Sequence, residues 1–600
     1  MRASTEEGEY NDKMGILTNP NTDDTNRLVK LLQGKGGAFG LVCYLAGIVW
    51  LIFLANADYN LGTYFSENAL LPGLVVENFD GAYYAEEFTK ELFQLDTDYN
   101  GKIPPHEFEA FFHRLGLVET ELQNYTITDL ISKRKEDEGT GTNVFAVLRA
   151  KRAAGTESIV FNAPYFPKNK QISRRNLAGI GIMFALADYF RHQVYWAKDI
   201  VFLISEAHLG SLAWVKGHQE IMEDWSSSVF RFDNVHTKAG NIQASVNFIM
   251  EATDVCSLQS KFHGINGQLP NLDLVNLLNK FIVLDHEKRP DWPEADVKKL
   301  FSFMQMQSTG TPSGSHGFFL KYGIESVTLV GKTSKNCKAR NPVSYSDIGR
   351  ILEATFRSLN NLLERLHQSF FFYLKTTPNR FISIGLYFPP IALILFPIAL
   401  KAATIWLSKQ GLNTTRGLFT LMGLHAHAIF LRWVLNNLNW ILLPFLTTAI
   451  PGAEIRTNVF ASICGGLLLT ILSFSIFLHW NVEKEIREAI YCFCLLELAT
   501  GLYCLALFNP SLVVFIGVVV SPLVTFLFFW DMPEKQRYWA KALLLSIFVG
   551  VAYDWLGLDG LIYFVNKYYY ESEVYGNFLF ELGWIGGGVL ILGVFIGGLI

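Results

Sequence analysis

Residues with the types and spacing for chemistry fall at a few places in this chain. The first is Asp96-Thr-Asp98-Tyr-Asn100-Gly101-Lys-Ile103-Pro-Pro-His-Glu107. Side-chain oxygens stand at positions 1, 3 and 5, glycine at 6, an aliphatic at 8 and glutamate at 12, the order that wraps calcium in an EF-hand loop. The helical segments EEFTKELFQL and EFEAFFHRLG flank it. EF-hands normally pair and no second loop follows, so two readings stand: a structural calcium site at Asp96, Asp98, Asn100 and Glu107, or a solvated helix-turn-helix. Glu206 and His316 are a carboxylate and an imidazole of the kind that ligate zinc. Ser66, Glu67 and Asn68, and later Arg365, His367 and Gln368, are polar clusters placed against apolar segments.

Those apolar segments set the frame. The chain has 600 residues, half of them hydrophobic, and a net charge of -5. That charge argues against a nucleic-acid partner. The apolar residues crowd into Ala38–Ala57 and into the chain beyond Phe381. The first stretch, AFGLVCYLAGIVWLIFLANA, is about 20 residues, the thickness of a bilayer core. Arg27, Lys30 and Lys35 precede it, whereas Asp58, Glu67 and Glu77 follow. The positive-inside rule then puts residues 1–37 in the cytosol, a span at 38–57, and a lumenal domain at 58–379. Residues 380–600 read as a bundle of about seven more spans, giving about eight in all. They are drawn at 381–401, 416–448, 458–480, 488–508, 511–530, 541–557 and 577–600. Lys409, Arg416, Lys484, Arg487, Lys535, Arg537 and Lys541 fall in or beside the loops expected on the cytosolic side. Asn124-Tyr-Thr126 is then a lumenal glycosylation sequon, and Asn413-Thr-Thr415 a cytosolic one that stays bare.

Within the bundle, His425, His427, Arg432, Glu497, Asp554 and Glu581 are ionisable groups in apolar surroundings. Such groups turn to a cavity or a partner. Arg432 either meets a phosphate or pairs with Glu497. Of seven cysteines, only Cys256 and Cys337 lie in the soluble part. They allow one disulfide and form no metal cluster. Neither has a motif-like histidine partner, which argues against a thiol nucleophile here.

Between Gly139 and Leu329, TNVFAVLRA, SIVFNAPYF, DIVFLISEAH, AGNIQASVNFIM and YGIESVTLVG read as strands, and NLAGIGIMFALADYFRHQ as a helix. The alternation predicts an α/β sheet, largely parallel, with chemistry at the carboxyl ends of its strands.

That order of elements, with Ser205-Glu206-Ala207-His208-Leu209-Gly210-Ser211 and Ser315-His316-Gly317-Phe318-Phe319 before Gly323-Ile324, resembles the dinuclear zinc aminopeptidases of the M28 type. The resemblance implies metal-ligand positions at Glu206 and His316. It also shows what is missing. A His-x-Asp is replaced by Asn162-Ala163-Pro164-Tyr165, a bridging Asp by Arg175-Asn176, and the carboxylate base by Ser205. A cation at Arg175 would repel metal ions, and without base and metals nothing activates water. A peptidase fold kept as a scaffold is the expectation. A single residual zinc on Glu206 and His316, with Glu251 as a further carboxylate, and a membrane-tethered zinc aminopeptidase of the endoplasmic reticulum lumen are the alternatives.

Further strings are more specific. They are Tyr64-Phe-Ser66-Glu67-Asn68-Ala69-Leu70, Gly141-Thr-Asn143-Val144, Tyr195-Trp196-Ala197-Lys198-Asp199-Ile200, Asn266-Gly-Gln-Leu-Pro270-Asn271-Leu-Asp273-Leu, Gly314-Ser-His316-Gly317 and Leu363-Glu364-Arg365-Leu366-His367-Gln368-Ser369. Together they resemble the glycosylphosphatidylinositol (GPI) anchor attachment proteins, Gaa-type non-catalytic subunits of the GPI transamidase. The resemblance implies an endoplasmic reticulum membrane complex with a separate caspase-like cysteine subunit, GPI lipid and proprotein substrates as partners. Tyr64, Ser66, Glu67, Asn68, Arg365, His367 and Arg432 become the candidate lipid contacts, because they lie at or within the membrane face where a headgroup sits.

Overall fold

The computed structural model describes residues 23–127, 139–167, 175–221, 230–282, 293–333, 342–408, 415–423, a few positions up to 433, 484–529, and most of 570–578 with 567. Helix α1 (Asp23–Phe53) carries the first apolar stretch. The strand β1 (Leu61–Gly62) and the helices α2 (Ala82–Asp98) and α3 (Pro105–Arg114) follow.

The sheet strands are β2 (Thr120–Ile127), β3 (Gly139–Leu148), β4 (Glu157–Asn162), β5 (Asp199–Ile204), β6 (Phe230–Phe232), β7 (Asn241–Met250), β8 (Ser257–Lys261) and β9 (Glu325–Lys332). They form one sheet in the order β6-β2-β3-β5-β4-β7-β9-β8. The pairs β5-β4, β4-β7 and β7-β9 are parallel; β3-β5, β2-β3, β2-β6 and β8-β9 are antiparallel. The expectation of a largely parallel sheet therefore holds for the centre alone. A parallel pair needs a crossover of about a dozen residues or more. The connection from Leu148 to Glu157 is shorter than that, and β3 runs opposite to its neighbour β5.

The central strands read as continuous apolar runs because both faces are covered, as parallel sheets require. Ile159, Phe161, Ile200 and Phe202 pack into one core with α4 (Leu177–His192) and α9 (Tyr345–Asn360). Val160, Val201 and Leu203 pack on the other face with Trp214 and Val215 of α5 (Ala207–His218), and with Phe319 of α8 (His316–Lys321). The period of two sorts neighbouring residues to opposite cores. Helix α2 lies against α4 at Gly181, where a Cβ would stand 2.3 Å from Thr89 Oγ1. Two further helices complete the domain, α6 (Leu272–Ile282) and α7 (Pro293–Ser308).

A second, three-stranded sheet joins β1 to the hairpin β10 (Tyr373–Thr377) and β11 (Arg380–Ser383), in the order β1-β11-β10. It ties the chain leaving α1 to the chain entering α10 (Ile384–Ser408). Arg380 fixes the tie by donating to the Ala57 carbonyl and to Asn60 Oδ1. Helix α1 packs on α10, and α10 also packs on α11 (Lys484–Phe508) and α12 (Pro510–Phe529). The approach of α1 to α10 is close: a Cβ on Gly47 would lie 2.6 Å from the Pro390 carbonyl oxygen. Small residues permit such contact where helices gain nothing from leaving an apolar solvent.

Among the described residues, three helical stretches are long and apolar enough to cross a membrane: Lys35–Phe53, Ile384–Leu407 and Glu488–Phe508. A shorter apolar helix runs Pro510–Pro522. The three long stretches overlap the expected spans at 38–57, 381–401 and 488–508; the shorter one overlaps that expected at 511–530 without the length to cross. Those expected at 458–480 and 541–557, and most of 416–448 and 577–600, lie outside the described residues.

A buried polar junction holds the bundle to the α/β domain. Asn509 Nδ2 donates to the Gln307 carbonyl at 3.0 Å and to the Asn266 carbonyl at 3.3 Å. Gln307 Nε2 donates to the Gly267 carbonyl at 3.0 Å. The Phe578 amide donates to Asn266 Oδ1 at 3.0 Å, and Asn577 Nδ2 lies 3.4 Å from the Gly310 carbonyl. Asn509 is fully buried, so its two bonds satisfy an amide that has no access to water.

Candidate functional site

The carboxyl ends of β4 and β5 are where the M28 resemblance implied the metal-ligand position Glu206, with the rest of the site replaced. Glu206 lies just beyond β5, at the cap of α5, and forms a parallel bridge with Tyr165. Its carboxylate accepts the Thr142 amide at 2.7 Å, and its own amide donates to Asn143 Oδ1 at 3.1 Å. Asn143 Nδ2 donates to the Gly210 carbonyl at 2.8 Å, so it links β3 to the start of α5. Burial pushes the Glu206 carboxyl up from the ordinary range; the Thr142 amide and the nearby Lys102 ammonium work against that rise. Ala207, next in the chain, sits at φ 55°, the left-handed region that costs an L-residue roughly 1–2 kcal/mol.

The positions that would complete a metal site are spent on the fold. Asn162 Nδ2 donates to Asn247 Oδ1 at 2.8 Å and to Ser211 Oγ at 3.0 Å, and Ser205 Oγ donates to Asn162 Oδ1 at 2.9 Å. These groups are fully buried, and neutral hydrogen bonds now satisfy them. Asn176 starts α4 at φ 59°; its Nδ2 donates to the Pro164 and Phe248 carbonyls, and its Oδ1 accepts the Met250 amide. Glu251 pairs with Lys332 at 3.0 Å.

His316 is fully buried. Its Nδ1 lies 2.7 Å from Thr328 Oγ1 and its Nε2 3.0 Å from the His263 carbonyl. Both ring nitrogens therefore face protein oxygens, and burial pushes its pKa down to about 3. His208 Nδ1 lies 2.8 Å from Ser315 Oγ. Among the described residues, no three His, Cys, Asp or Glu side chains form a group that could hold a metal ion. Among the described residues, neither Glu206 nor His316 therefore belongs to a three-ligand group that the residual zinc reading would use.

The loop from Asp96 to Glu107 joins α2 to α3 with helix-turn-helix geometry. Asp96 is buried and ion-paired with Arg175. Asp98 ends α2 and is exposed; Asn100 is exposed at φ 53°. Glu107 accepts the Tyr99 hydroxyl at 2.8 Å. With Arg175 paired to Asp96, the first oxygen of this donor set already has a cation.

A second cluster forms beside the small sheet. The Ser66 and Glu67 amides both donate to Asp273 Oδ2, at 3.0 and 2.7 Å. Glu67 is buried, and His367 Nδ1 stands 3.6 Å from its Oε2. That oxygen has no hydrogen-bond partner, nor has Asp273 Oδ1. Tyr64 is exposed and packs on Phe381, and its carbonyl accepts Asn276 Nδ2 at 3.3 Å. Asn276 Oδ1 accepts Lys375 Nζ at 2.8 Å. Burial pushes the Lys375 ammonium down to about 7. Arg365 is exposed and donates to Asn241 Oδ1 at 2.6 Å. Asn68 is exposed and opens a 3-10 turn that buries Leu70.

So Ser66, Glu67 and His367 meet, with Tyr64 beside them. Asp273, Asn276 and Lys375 complete the cluster and escaped sequence reasoning. Only Asp273 carried a signal, as part of the Asn271-Leu-Asp273 string. Arg432 lies outside the described residues; its alternative partner Glu497 is held by His425 at 2.9 Å. Asn124 is exposed on β2, with its Oδ1 accepting the Thr142 hydroxyl at 2.9 Å. Cys256 is disulfide-bonded, and Cys337 lies outside the described residues.

Comparison with known proteins shows the family. The chain is 30% identical to the GPI transamidase component gaa1 of Schizosaccharomyces pombe over 390 residues, 61% of this chain and 64% of that protein. It is 26% identical to the GPI transamidase component GAA1 of Saccharomyces cerevisiae over 492 residues, 77% of this chain and 69% of that one. The chain thus spans somewhat less than two thirds of the fission yeast relative. Among solved structures, the glutaminyl cyclase of Fimbriiglobus ruber aligns at 12% identity and TM-score 0.32, covering 48% of this chain and 97% of its own. The LapA aminopeptidase of Legionella pneumophila aligns at 12% identity and TM-score 0.29, covering 48% and 78%. The model of the family described as Gaa1-like, GPI transamidase component, matches residues 140–553, and the chain belongs to that family.

Proposed function

We propose that this chain is a non-catalytic subunit of the endoplasmic reticulum GPI transamidase. In this reading it holds the GPI lipid donor at its juxtamembrane cluster and braces a caspase-like cysteine subunit while anchors are joined to proprotein carboxyl ends. The N-terminus lies in the cytosol and the α/β domain in the lumen, with about eight spans in all. The observation that carries the lipid role is the meeting of Glu67 and His367 beside Asp273, where the chain leaves one apolar helix and enters the next. A buried carboxylate oxygen without a hydrogen-bond partner suits an ammonium. His367 and Arg365, both exposed, suit the adjoining phosphate.

The spent ligand positions support a non-catalytic role. Asn162 and Ser205 are bound into neutral networks, and Arg175 is ion-paired. No activated water or nucleophile arises from such groups. Affinity purification in mild detergent tests the reading. Recovery of a cysteine-protease-like subunit and of GPI lipid is expected. A chain that purifies without either, and that hydrolyses aminopeptidase substrates with bound zinc, would defeat it.

A further inference from the structure

We infer that Arg175 is the resident cation of the loop Asp96–Glu107, so that the hairpin α2–α3 is a fixed cover over the β4 and β5 ends that binds no calcium. The loop has the residue order of a cation site, yet its first carboxylate is buried against the Arg175 guanidinium at the start of α4. Charge neutralisation thus comes from within the chain. Asp96 Oδ1 is buried without a hydrogen-bond partner, which marks a carboxylate built for more than one contact and given a single cation.

The rest of the loop is fastened to the same strand ends. The Ile103 amide donates to Tyr165 Oη at 2.9 Å, and Tyr165 Oη lies 3.3 Å from the Gly101 carbonyl. Phe108 meets the Tyr165 ring edge-on at 5.1 Å between centroids. Lys102, Ile103, Phe108, Thr142, Tyr165 and Glu206 then line one small cavity, with the hairpin as its roof. Opening the roof would break the ion pair and these bonds together. A calcium ion entering the loop would have to displace Arg175, whose charge repels it.

Calorimetric titration of the full chain in detergent with calcium chloride tests this. No saturable binding is expected up to about 1 mM, the weak end of calcium modules. With Arg175→Met the block is gone, and one calcium per chain is expected, abolished again by Asp96→Asn in the same background. Thermal melting without calcium supplies a second readout. Asp96→Asn and Arg175→Met should each lower Tm by about 5–15 °C, and the double variant should melt no lower than the worse single one. Saturable calcium binding by the unmodified chain, silence of Arg175→Met toward calcium, or additive losses in Tm would each overturn the inference. If the variants do not fold, the titration of the unmodified chain decides.

Discussion

His367 Nδ1 lies 3.6 Å from Glu67 Oε2, joining the segment that follows the first apolar helix to the segment that precedes the second. The two are 300 residues apart in sequence and share one patch because β1 pairs with β11. Glu67→Gln keeps the shape and removes the charge. A hydrogen bond to a charged group is worth roughly 1.5–3 kcal/mol. Anchoring of a GPI-linked reporter at the cell surface should fall about tenfold or more, with recovery of the complex unchanged. Unchanged anchoring would remove Glu67 from the lipid site.

How much of this was legible in the sequence depends on how local the signal is. The strands β3, β4, β5, β7 and β9 show as apolar runs because both their faces are covered. β2 alternates, burying Gln123, Tyr125 and Ile127, and a polar Gln123 hides the pattern. Gln123 is buried because its amide donates to the Ala213 and Asp233 carbonyls, a tertiary fact that no window shows. The calcium pattern was legible because it is local, but the residue that meets its first carboxylate is not. Arg175, which answers Asp96, lies 79 residues away and enters only through the packing of α2 on α4. Lys375 carried no signal, since a buried lysine looks like any other until its surroundings are known.

Lys375 and Glu325 should give the stability of the α/β domain a minimum near pH 7. Burial pushes Lys375 down to about 7, and burial pushes the Glu325 carboxyl up to about 7. For the depressed lysine, the unfolded chain binds more protons between about 7 and 10.5, so stability rises with pH across that window. For the raised glutamate, the folded chain binds more protons between about 4.5 and 7, so stability is lost as pH rises through it. Melting between pH 5 and 9 should show the dip, with a gain of roughly 2 kcal/mol from pH 7 to 9. Lys375→Met should flatten the alkaline limb and Glu325→Gln the acid limb. A profile that neither variant changes would remove both groups as its source.

Gly47→Val should separate α1 from α10. The added Cβ meets the Pro390 carbonyl oxygen at 2.6 Å and Ile394 at 2.9 Å, and the first of these is backbone that cannot swing aside. Overpacking costs about 1–3 kcal/mol. Gly36→Val on the same helix meets nothing within 4 Å and serves as control. Lower Tm and faster aggregation in detergent are expected for the first variant alone. Equal behaviour of the two would mean that this contact does not limit stability.

Asn509→Leu should loosen the α/β domain from the bundle. The change strands the Gln307 and Asn266 carbonyls and the Leu512 amide, which donates to Asn509 Oδ1 at 3.0 Å. Each buried group left unpaired costs about 1–3 kcal/mol. Amide exchange should quicken around residues 266–310 while the central strands stay protected. Uniform protection across both regions would show the junction to be incidental.

Asn124 reports on which side of the membrane the α/β domain lies. It sits exposed on β2 with Thr126 two residues on, so both sequon side chains project from the same face of the strand. Its side-chain Oδ1 accepts the Thr142 hydroxyl at 2.9 Å, a bond that water can replace. If the domain is lumenal, endoglycosidase should sharpen and speed the band on a gel, and Asn124→Gln should already run at that position. Asn413→Gln should change nothing, since its loop is expected in the cytosol. Protease added to sealed microsomes separates the remaining cases. A protected α/β domain keeps the topology even if Asn124 is bare, whereas digestion of that domain from outside would invert it and place Glu67 and His367 on the wrong face for a lumenal lipid headgroup.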